Sequence, residues 1–157
     1  MELVVGELTI KGTTTKSVDG TETTAADQLQ TCVYFAIEGF QFPAFELRPE
    51  RMMVRLLAKL SGASDINFKE SPHFSSKYFL ESDSPDDIRK VFNQTLRETF
   101  ENHLGFQVIA RGKQVILFKP NQTCRKQEYD SFIKAALRIF TVLQQSTIAA
   151  QNEGSTA

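Results

Sequence analysis

Apolar and polar residues alternate from Glu2 to Lys11, with Leu3, Val5, Leu8 and Ile10 offering apolar faces around an irregularity at Gly6. A period of two predicts an opening strand. From Gly12 to Ala26 the chain turns polar, through Thr13, Thr14 and Thr15 to Asp19 and Gly20. That composition predicts a flexible polar loop or a weak hairpin tip, set within residues 12–27. Leu29 to Glu38 is too apolar for a half-exposed strand and too short and β-branched for a helix, so it reads as a largely buried strand. Phe40, Phe42 and Phe45 then alternate around Pro43, which suits an edge strand or an extended approach because proline cannot donate to a ladder.

Helical spacing follows. Met52, Met53, Leu56, Leu57 and Leu60 recur on one stripe from Glu50 to Leu60, opposite Arg51, Arg55 and Lys59, with Gly62 as the stop. Ile66 with Phe68, and Tyr78 to Glu81, predict two brief strands separated by a break at Ser71 and Pro72. A helix begins after Ser84, where Pro85 suits the first position and Asp86 and Asp87 complement the dipole. Its stripe of Ile88, Val91, Phe92, Leu96, Phe100 and Leu104 runs on to Gly105. Phe106 to Ala110 and Gln114 to Phe118, joined around Arg111, Gly112 and Lys113, form a hairpin. A last helix runs from about Arg125 to Thr147, leaving residues 148–157 as a disordered tail. Strands and helices do not alternate singly. The pattern therefore predicts one α+β domain over residues 1–147, mainly an antiparallel sheet with about three helices packed on one face.

Composition changes this picture little. At 157 residues with 41% hydrophobic and 24% charged residues, the chain can bury one core. Thirteen Phe and no Trp add large apolar side chains that need no hydrogen-bond partner. Eighteen basic against nineteen acidic residues give a net charge of -1, which lacks the one-signed field that nucleic acid attracts. Cys32 and Cys124 make neither a disulfide framework nor a CxxC pair. No stretch approaches a membrane-spanning length and the start lacks signal-peptide features, so a cytoplasmic location is expected for the chain as it stands.

Candidate chemistry is sparse. His73 and His103 are the only histidines, and no ligand spacing supports a metal site. His73 can serve as a base beside Ser75, with Asp65 as a further polar group, although an exposed turn imidazole explains it as well. His103 falls in the last turn of its helix, where the dipole favours an imidazolium. Asp83, Asp86 and Asp87 lack the glycine and closing glutamate of a calcium loop, and Gly6, Gly12 and Gly20 lie too far apart for a phosphate loop. No cofactor and no small-molecule substrate are indicated. Two segments offer binding surfaces: the aromatic run Phe40, Phe42 and Phe45, and the basic stripe Arg48, Arg51 and Arg55, which suits anionic lipid.

Phe42-Pro43-Ala44-Phe45-Glu46-Leu47-Arg48-Pro49-Glu50, Asp65-Ile66-Asn67-Phe68, Ser71-Pro72-His73-Phe74-Ser75, Tyr78-Phe79-Leu80, Arg89 and Phe92 carry a resemblance that spans roughly residues 28–143. Together they resemble a family of uncharacterised bacterial proteins whose soluble domain commonly follows membrane-spanning helices. The resemblance implies no activity. It implies a setting: a domain at the cytoplasmic face of a membrane whose anchor is missing from this chain, or a member that never had one. The residues then point to a noncatalytic interaction domain that contacts a protein partner or its own second copy. The alternatives are a small hydrolase or transferase using His73 with Ser75 or Asp65, and lipid binding through the arginine stripe.

Overall fold

The structure, a computed structural model, describes residues 1–12, 14–16, 19–24, 26–50 and 65–155. Eight strands occur among them: β1 (Glu2–Ile10), β2 (Thr14–Lys16), β3 (Glu22–Thr24), β4 (Gln28–Ala36), β5 (Phe42–Pro49), β6 (Tyr78–Glu81), β7 (Gln107–Gly112) and β8 (Gln114–Phe118). Six build an antiparallel sheet in the order β1-β4-β8-β7-β5-β6. β2 and β3 pair with each other, so the polar span holds a small hairpin. Its base is tied by Asp27, which accepts from the Gly12 amide at 2.9 Å and from Lys11 Nζ at 2.6 Å.

Among the described residues four helices complete an α+β domain: α1 (Pro72–Lys77), α2 (Pro85–Val91), α3 (Gln94–Asn102) and α4 (Tyr129–Ser155). In the sheet, successive side chains take opposite faces. The register places Val33, Leu117, Val108, Leu47 and Leu80 in one row across five strands, with Phe35, Val115, Ala110 and Phe45 in the next row on that face. All nine are buried. The helices cover this face through ring contacts. Phe35 stacks on Phe140 of α4 at 3.9 Å, Phe45 meets Phe92 edge-on at 5.1 Å, and Tyr78 meets Phe100 of α3 at 5.5 Å. The abundant Phe residues are therefore the glue between the layers, as apolar bulk without polar demands.

Several local expectations change. α1 occupies the predicted break, because Pro72 at the first turn starts a helix without losing a hydrogen bond. Ile66 and Phe68 form no strand, yet the Ile66 amide bonds the Leu80 carbonyl at 2.8 Å. The long helix after Ser84 is two helices. Asn93 caps the second by accepting from the Leu96 amide at 3.0 Å, a signal hidden inside an unbroken apolar stripe. Ser84 precedes α2 without a side-chain cap bond. β5 is internal, flanked by β7 and β6, and a bulge between Phe42 and Phe45 accommodates Pro43. The β7–β8 hairpin lies mid-sheet and has no edge to offer another chain.

The predicted disordered tail at 148–157 is also corrected, since α4 continues to Ser155. Ala149 to Glu153 contains good helix formers and no breaker, while Ala150 packs against the core and Gln151 donates to the Gln41 carbonyl at 3.0 Å. The helix predicted over Glu50–Leu60 lies, beyond Glu50, outside the described residues.

Candidate functional site

His73, Ser75 and Asp65 are not brought together. His73 stands on α1 with its side chain 60% exposed, and its Nδ1 lies 3.6 Å from Glu101 Oε1 of α3. Ser75 points the other way: its buried hydroxyl accepts from the Phe68 amide at 2.9 Å. Asp65 Oδ1 accepts from the Leu80 amide at 3.1 Å, and Oδ2 accepts from Asn67 Nδ2 at 3.1 Å. Ser75 and Asp65 each hold a neighbouring segment in place by accepting from a backbone amide. A base without an adjacent nucleophile lacks the nucleophile–base contact that covalent catalysis needs.

The cleft beside His73 measures about 310 Å³ and is lined by Glu70, Ser71, Arg97, Glu98 and Glu101 among others. Arg97 is its buried member, engaged through Nε, Nη1 and the face of its guanidinium. Nε donates to Ser71 Oγ at 2.8 Å, Nη1 donates to the Phe92 carbonyl at 2.6 Å and faces Glu70 at 3.2 Å, and the guanidinium lies 4.6 Å from the Phe68 ring centre. Arg97 thus clamps α3 to the preceding turn. Among the described residues, no group of three or more His, Cys, Asp or Glu side chains is arranged to hold a metal ion. Burial pushes the thiols of Cys32 and Cys124 above their ordinary range, which leaves neither an activated nucleophile.

The two surface segments expected from the sequence are largely committed inward. Phe42 and Phe45 are buried and Phe40 is half-buried against them, so this run lines the core instead of forming an exposed patch. Arg48 is half-buried, paired with Glu81 and Glu46, and lies 5.0 Å over the Phe79 ring. Arg51 and Arg55 lie outside the described residues. A groove of about 370 Å³ runs between Phe42 and Pro43, Asp87 and Lys90 of α2, and Thr147 and Ala150 of α4.

The unassigned feature is the sheet's β1 edge. β1 pairs in unbroken register with β4 over nine residues, and among the described residues no strand pairs with its other side. Met1, Leu3, Val4 and Ile10 are exposed along it, with Leu29 beside them on β4; among the described residues only Leu104 and Ile148 are comparable elsewhere. The opposite edge is guarded. β6 has four residues, and both backbone groups of Leu80 are occupied, its amide by Asp65 and its carbonyl by Ile66. Alternation in the sequence announces β1 as a strand. Its place at an edge depends on β4 choosing β8, a pairing far away in the chain, and no local signal carries that.

Among the described residues no helix is long and apolar enough to cross a membrane. Compared with known protein families, curated proteins and solved structures, the chain matches none.

Proposed function

We propose that this chain is a noncatalytic interaction domain, and that the outer edge of β1 is the surface through which it contacts another protein. The carrying observation is the coincidence, among the described residues, of a nine-residue unpaired edge with the densest set of exposed apolar side chains. Unpaired backbone groups on such an edge are a template for an added strand, and the flanking apolar side chains supply pairing energy. The membrane setting implied by the resemblance belongs to the same proposal: the domain works at a cytoplasmic membrane face, close to its partner. The hydrolase alternative has less support, because Ser75 and Asp65 are bonded elsewhere than to His73.

The test is site-specific photo-crosslinking in the source cells, with the photoreactive residue placed at Val4 and, as a control, at Lys90 on α2. Discrete protein adducts from Val4 and none from Lys90 are the expected result. Equal labelling at both positions, or none at either, overturns the reading.

A further inference from the structure

We propose that the occupant of the β1 edge is a second copy of this chain, paired antiparallel through β1 about a two-fold axis at Gly6. This rests on the interaction reading above and names its partner. Two six-stranded sheets then become one continuous sheet.

Three observations carry it. The first is the asymmetry of protection. Natural edges are blunted by short strands, proline, lysine or bulges. β6 is short and covered, whereas Glu2–Ile10 has no proline, no lysine and no bulge. Among the described residues this long, regular edge, whose charges are Glu2 and Glu7, is left bare, and such an edge is a template for pairing with another chain.

The second is self-complementarity. A two-fold axis perpendicular to the sheet keeps each side chain on its own face, so only same-face residues can oppose each other. Centred on Gly6, the pairing sets Val4 against Leu8 twice on one face, with Glu2 against Ile10 at the ends. On the other it sets Leu3 against Thr9 and Val5 against Glu7, and no like charges meet. Centring on Glu7 would oppose two carboxylates directly, which is destabilising. Centring on Val5 would spend Val4 on Gly6 and Leu8 on Glu2, losing the apolar pair.

The third is Gly6 itself. Its φ is not positive, and among the described residues an added Cβ would meet nothing within 4 Å, so neither backbone conformation nor space calls for glycine there. Glycine inside a strand weakens it and marks places where another backbone comes close. On the axis, Gly6 faces its own copy. The same axis puts both helix layers on one side of the joined sheet, and the two β2–β3 hairpins leave at opposite ends.

The experiment is sedimentation velocity on the purified chain, beside Val4→Lys and Leu8→Glu, with far-UV circular dichroism and thermal unfolding confirming that each variant folds. Wild type is expected at twice the 17.7 kDa chain mass. Each variant alone is expected as a monomer, because both copies of the central Val4–Leu8 apolar pair are lost. An equimolar mixture is expected to restore the dimer, since the ammonium introduced by Val4→Lys in one chain meets the carboxylate introduced by Leu8→Glu in the other. A wild-type monomer at every concentration up to about 1 mM overturns the inference. So does a dimer untouched by either substitution, and a mixture that stays monomeric overturns the register. Self-pairing and the broader reading fail separately: a monomer in solution with Val4 adducts of unrelated mass in cells removes only the second copy, whereas no adducts removes both.

Discussion

Ser75 and His73 stand two residues apart on α1, yet one is inside the molecule and the other outside. Removing the Ser75 hydroxyl strands the Phe68 amide in a buried place, so Ser75→Ala is expected to cost about 1–3 kcal/mol in denaturant unfolding. His73→Ala is expected to stay within about 0.5 kcal/mol of wild type in the same assay. If Ser75 instead served a catalytic histidine, its loss would leave stability unchanged. Tyr78 makes a related case at high pH. Burial pushes its hydroxyl well above its ordinary 10.0, while the Gly105 amide donating to it at 3.1 Å acts in the opposite direction. The folded chain therefore keeps a proton that the unfolded chain releases. That contribution is complete below the unfolded value and is lost as pH rises past about 10. Wild type should lose stability across that limb more steeply than Tyr78→Phe, measured by urea unfolding between about pH 9 and pH 11. Equal slopes would show that Tyr78 ionises freely.

Elements in this fold are set by caps and breakers that apolar periodicity hides. The stripe from Ile88 to Leu104 reads as one helix, but Asn93 at its middle satisfies the Leu96 amide and begins a second. Local competition of this kind was legible in residue type and outweighed by the pattern. α4 shows the reverse: its tail looks polar, yet it stays helical because Ala150 packs on the core and Gln151 bonds the Gln41 carbonyl just ahead of β5. The element's main anchor is Phe140, sandwiched near Phe35 and Phe42. Phe140→Ala is expected to cost about 3–5 kcal/mol, since neighbouring rings cannot collapse into the space, with unfolding followed by circular dichroism. A cost below about 1 kcal/mol would mean α4 is not fastened there.

At the scale of the whole molecule, the class of fold was legible while the strand order was not. Alternating runs, one hairpin and amphipathic helices suffice for an antiparallel sheet under helices. Placing β5 at an edge followed from Pro43, and it was reversed by long-range pairing with β7. The candidate site suffers the same limit, because exposure of Leu3, Val4 and Ile10 is a property of the finished sheet. Association through that edge rests on backbone bonds and apolar contact. The dimer is therefore expected to persist at about 1 M salt, where charges are screened beyond about 3 Å. Dissociation there, read by sedimentation, would point to an electrostatic contact. Steeply salt-dependent liposome binding would favour the lipid alternative, for which Arg48 is already engaged with Glu81 and Glu46.

The placement of β4 between β1 and β8 has a consequence for biosynthesis. The β1–β4 hairpin leaves the ribosome first, but the strand that closes its inner side and the helix that roofs Phe35 are made near the end of the chain. At about 5–20 residues per second, the nascent hairpin waits on the order of ten seconds with both flanks bare. On a polysome, neighbouring nascent chains would present the same two flanks to each other during that interval. Controlled delivery of β8 to β4 is then the step that separates orderly folding from entanglement between chains, and a chaperone that shields β4 until β8 arrives would raise the yield of native protein.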